Sequence, residues 1–127
     1  MQSLAPHQNG YMDATRSVGM PREVEYQLFS KITGKMNQCA DDRARFNTLV
    51  EALTENLSMW QTIALSVADE NNELSPPLRA QLFYLYEFVQ HHTPRVLRRE
   101  ADAAPLIEIN TSIMRGLRGV TLREVKG

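Results

Sequence analysis

A chain of 127 residues, 43% hydrophobic and 23% charged, has the size and make-up of one folded domain, which excludes disorder throughout and fibrous architectures. Fourteen Lys and Arg against fifteen Asp and Glu leave a net charge of -1, so no overall field draws the chain to nucleic acid or an anionic membrane. The single Cys39 excludes an intrachain disulfide; with no apolar signal core and no apolar run near the roughly 20 residues of a membrane span, a cytoplasmic protein without membrane insertion is expected.

Residues 1 to 19 carry Pro6, Gly10 and Gly19 among scattered polar residues with no sustained helical period, which predicts a flexible N-terminal arm. "PREVEYQLFSKITGKM" then starts on Pro21, suited to a first helical turn, with Glu23 and Glu25 favouring a helix N-terminus. Val24, Leu28, Ile32 and Met36 recur every fourth residue beside Phe29, the pattern of an amphipathic helix weakened by Gly34.

Asp41 and Asp42 offer an N-cap to the strongest periodic signal in the chain, in which Phe46, Val50, Leu53, Leu57, Trp60, Ala64 and Val67 step alternately by four and three. This seam predicts a helix from about 41 to 69, ending in "DENNEL", where Asn and Asp compete with the helix for backbone hydrogen bonds.

"SPPLRAQLFYLYEFVQHHTPRVLRRE" opens on Ser75 as cap and Pro76 in the first turn, and Leu78, Leu82, Leu85, Val89, His92 and Val96 form its seam. Phe83, Tyr84, Tyr86 and Phe88 fill the flanks, so this helix is expected to be central, with a bend or break near His91 caused by Pro94.

The last helix, "PLIEINTSIMRGLRG", starts near Asp102 and Pro105 and carries a stripe of Leu106, Ile109, Ile113 and Leu117, with Gly116 or Gly119 at its C-terminus. Asn110 lies between the first two rows of that stripe. A polar side chain there needs a hydrogen-bond partner: it fixes the helix register, or it ties the helix to the Arg22 and Glu25 region, or it contacts a ligand. The whole pattern predicts an all-α fold, a single small bundle of about four helices, with residues 1–19 as arm, 20–119 as helical body and 120–127 as tail.

No catalytic, metal or cofactor constellation is expected. His91 and His92 point about 100° apart on a helix and cannot ligate one metal together, and His7 lies in the arm. Cys39 has no activating motif, although Lys35 and Arg43 each lie four residues away, and phosphate loops and hydrolase signatures are missing. Arg95, Arg98, Arg99, Arg115 and Arg118 form a patch for phosphates if the third helix ends beside the fourth; otherwise they complement helix C-termini. Trp60 is core, or with Met59 and the aromatics of the third helix borders a groove for a partner helix.

Three blocks, "PREVEYQLF" at 21 to 29, "LTENLSMWQTIALSVADENNELSPPLRAQL" at 53 to 82 and "LIEINTSIMRGLRG" at 106 to 119, resemble in this order the FlaF family of bacterial flagellar biosynthesis regulators. The resemblance covers about residues 20 to 119, leaving the arm and the tail outside it. It implies a small cytoplasmic helical protein that promotes flagellin synthesis and secretion, with a partner regulator, FlbT, acting in the opposite sense on flagellin messenger RNA. It implies no active site and no cofactor. The partner expected is flagellin, bound by its amphipathic terminal segments, with Trp60, Asn110, Arg115, Leu117 and Arg118 as contact residues. The alternative is post-transcriptional control through RNA or an RNA-bound partner such as FlbT, with RNA not expected as a direct ligand. The seam would serve a second copy equally well, so a homo-oligomer also stays open.

Overall fold

The computed structural model describes residues 20, 21 and 24 to 126, with side chains up to residue 116. The expected arm, residues 1–19, lies outside the described residues. Among those described there are four α-helices and no strand: α1 (Tyr26–Cys39), α2 (Phe46–Ala68), α3 (Pro76–Leu97) and α4 (Ala104–Lys126), with a short 3-10 helix at Arg43–Arg45. The all-α bundle expected from periodicity is the observed fold.

Pro21 does not open α1. A turn closed by the Val24 amide on the Pro21 carbonyl precedes it, and Glu25 stands in extended backbone at the N-cap. Val24 is buried, and that irregular entry turns its side chain into the core ahead of Phe29, Ile32, Met36 and Cys39. Asp42 caps as expected, but it caps the 3-10 helix, its carboxylate accepting from the Ala44 amide at 2.9 Å. α2 therefore begins at Phe46.

The turn after α2 is built by its own side chains. Asn72 Nδ2 donates to the Ser66 carbonyl at 3.0 Å, and Arg79, reaching back from α3, donates to the carbonyls of Val67 and Asp69, both at 2.9 Å. These cations and amides satisfy acceptors that the helix end leaves open. Ser75 holds the N-cap position of α3 without a side-chain cap bond. Pro76 and Pro77 follow it, and Pro77 has no amide hydrogen at the position a capping hydroxyl usually engages.

Of the bend or break expected of Pro94 the break is ruled out, and a second expectation about α3 is corrected. The helix does not break near His91 but runs through Pro94 to Leu97. Gln90, whose carbonyl loses its donor to Pro94, is exposed and is open to water instead. Nor is α3 the central helix. That place belongs to α2, which packs on α1 and α3 together and buries two adjacent rows, one through Leu53, Trp60, Ala64 and Val67, the other through Leu49, Ala52, Asn56, Met59 and Ile63. α3 buries only Leu82, Val89, His92, Thr93 and Val96, and leaves its aromatic flanks in solvent.

α4 packs chiefly against α1 and touches α3 sparsely. It continues through Gly116 and Gly119 to Lys126, so the stop expected at a glycine and the tail from residue 120 are corrected to helix. A helical glycine costs only ~1 kcal/mol relative to alanine, too little to end a helix by itself.

Candidate functional site

Asn110 is fully buried and joins three helices. Its Oδ1 accepts from Trp60 Nε1 at 2.9 Å, while its Nδ2 donates to Asn56 Oδ1 at 2.8 Å and to Thr33 Oγ1 at 3.0 Å. α4 is thus tied to α1 and α2 at one point, and Phe29 packs edge-on against the Trp60 ring at 6.0 Å and 87°. The tie to α1 was expected near Arg22 and Glu25; it lies at Thr33, and Arg22 falls outside the described residues. Asn56 Nδ2 is buried without a partner.

Trp60 and Asn110, expected as contact residues, are both 0% exposed, so neither reaches a partner directly. Their role is to hold α4. Arg115 is exposed, whereas the side chains of Leu117 and Arg118 lie outside those described. The arginine patch is not assembled from the described residues. Arg98 makes two hydrogen bonds to Glu100, at 3.1 and 3.2 Å, and Arg99 stacks on the Phe46 ring at 4.3 Å. Arg115 sits eleven residues past the start of α4, roughly 16 Å along it and away from the α3 terminus.

The α3 terminus carries its own local chemistry. The Glu100 amide bonds the Arg95 carbonyl at 2.8 Å, and Arg99 takes φ 63, a position usually filled by glycine. His92 Nε2 donates to the Asp102 carbonyl at 2.7 Å and its ring stacks on Phe88 at 5.1 Å, which orders the connection into α4. Cys39 is buried beside a polar hollow of about 300 Å³ there. Among the described residues no group of His, Cys, Asp and Glu gathers as metal ligands.

What faces solvent is the other side of α3. A groove of about 530 Å³ opens between α3 and α4, walled by Leu78, Tyr84, Leu85 and Phe88 on one side and Ile109 and Ile113 on the other. α4 packs chiefly on α1, with Asn110 reaching side chains of α1 and α2, and meets α3 only sparsely, so this flank of α3 is left uncovered. A second hollow on the α2 side of α3 is lined by Val67, Phe83, Tyr84 and Glu87. Tyr84, 69% exposed, forms the crest between the two. Sequence reasoning passed over Thr33 and Asn56; the available signal was Asn56 one helical turn before Trp60, on its face.

Fold and site define a small all-α bundle with an open apolar groove between its last two helices. The family model described as flagellar protein FlaF matches residues 7–117, and the chain belongs to the FlaF family. The match takes in residues 7–19, which the resemblance read from the sequence had left outside. No curated protein and no solved structure matches the chain. No helix among the described residues is long and apolar enough to cross a membrane.

Proposed function

We propose that this flagellar protein binds flagellin, acting as an export chaperone that promotes flagellin synthesis and secretion. The observation that carries this reading is the uncovered apolar flank of α3, with Leu78, Phe83, Tyr84 and Phe88 all exposed on one helix. Clustered exposure of that kind marks an interaction surface more often than an idle one. Flagellin's terminal segments are amphipathic and unpaired before filament assembly, and such a segment has an apolar face to bury.

The alternative, control through RNA or an RNA-bound partner such as FlbT, rested on five clustered arginines. With Arg98 and Arg99 engaged locally and Arg115 distant from them, it has less to stand on. The deciding experiment is co-expression with cognate flagellin in a cytoplasmic host, followed by native mass spectrometry at low and high salt. A defined complex that survives high salt supports apolar docking, whereas phosphate-dominated binding to RNA falls steeply with salt. Folded protein that leaves flagellin untouched overturns the proposal.

A further inference from the structure

We propose that the groove between α3 and α4 receives one amphipathic helix of about three turns whose apolar stripe is bordered by lysine or arginine on the side that meets α4. The inference rests on the flagellin-binding reading and says where the segment lies and what chemistry selects it.

The length follows from the walls. Leu78 to Phe88 spans ten residues of α3, about 15 Å of helix, and Pro105 to Ile113 lines the opposite side over a similar reach. A guest helix of that length presents apolar side chains at i, i+3, i+4 and i+7, enough to cover Leu78, Leu85, Phe88, Ile109 and Ile113.

The charge preference follows from which ions are free. Glu108 stands in the α4 wall of the groove, while Glu87 lines the hollow on the far side of the Tyr84 crest. Both are exposed and neither makes a salt bridge among the described residues. Among the described residues no Lys or Arg lines the groove, and Arg79 on the α2 side has its guanidinium committed to two carbonyls. A cation on the flank of the guest that lies along α4 meets the Glu108 carboxylate; an acid there meets repulsion. Ser112 and Gln81 are the polar groups left on the floor and wall, and they suit a guest whose stripe is not wholly apolar.

The test uses the full-length protein and purified cognate flagellin, with affinity measured by isothermal titration calorimetry at low and high salt. Ser112→Arg, which fills the floor, and Tyr84→Ala, which removes the crest, are each expected to weaken binding at least tenfold. The charge reversal Glu108→Lys is expected to weaken it about fivefold at low salt, and by less at high salt as the charges are screened. Leu65→Ala is the control: Leu65 is 77% exposed on α2 and lines neither groove, so affinity is expected to stay within twofold. Circular dichroism melts verify that each variant is folded. If wild type binds flagellin and all three groove variants bind as tightly, the groove proposal is overturned while the flagellin reading stands. If folded wild type does not bind, both fall.

Discussion

Trp60 Nε1 and Asn110 Oδ1 meet at 2.9 Å with both residues buried, and this hydrogen bond, with the one from Asn110 to Asn56, links α2 to the N-terminal third of α4. Removing the amide strands the Trp60 donor and takes a hydrogen-bond partner from Asn56 and Thr33. Asn110→Ala is expected to lower stability by on the order of 3 kcal/mol in urea unfolding, because each buried group left unpaired costs about 1–3 kcal/mol. Trp60→Phe is expected to cost less, and a double-mutant cycle should return a coupling of about 1 kcal/mol or more. Additive effects would mean the bond contributes nothing.

Gly34 lies inside α1 with ordinary helical backbone, and a Cβ built there meets nothing within 4 Å. The residue supplies no turn and no close approach. Gly34→Ala is expected to stabilise the fold by up to about 1 kcal/mol, read as a higher urea midpoint with unchanged slope. Gly116→Ala in α4 meets equally open space and is expected to act in the same direction.

Arg99 pays for a left-handed backbone with a ring contact, its guanidinium lying 4.3 Å from the Phe46 centroid. Alanine there loses the contact and keeps the strain; glycine loses the contact and sheds the strain. Arg99→Gly is therefore expected to be more stable than Arg99→Ala by about 1 kcal/mol, the usual excess for a side chain in that region. Thermal melts of the two variants side by side check this, and equal stabilities would remove the αL assignment.

The hydrogen bonds from Arg98, reinforced by its charge, hold the Glu100 carboxyl below the ordinary glutamate value. A lowered folded value means the pair contributes at pH above the unfolded carboxyl's titration and fades as pH falls through the folded one. Both side chains are well exposed, so solvent screens the pair and the effect on stability is small. Arg98→Ala is expected to move the Glu100 midpoint upward, followed by carboxyl carbon chemical shifts in an NMR titration. An unmoved midpoint would show that the pair does not form in solution.

Helix number, helix type, the apolar stripe of α1 and one of the two buried rows of α2 were legible from spacing alone, because a 3.6-residue period places side chains on faces whatever the helix packs against; the row through Leu49, Ala52, Asn56, Met59 and Ile63 was not. Asn110 was legible as an anomaly for the same reason. Which helix occupies the centre was not. The aromatics of α3 read as core, yet burial depends on the neighbours a face receives, and α4 packs chiefly on α1 and meets α3 only sparsely. Thr33 and Asn56 are 77 and 54 residues from Asn110 along the chain, and nothing in the local pattern pairs them. The sequence by itself determined the amphipathic helices and the cost of burying one amide; only the tertiary structure decided who satisfies that amide and which flank of α3 stays open.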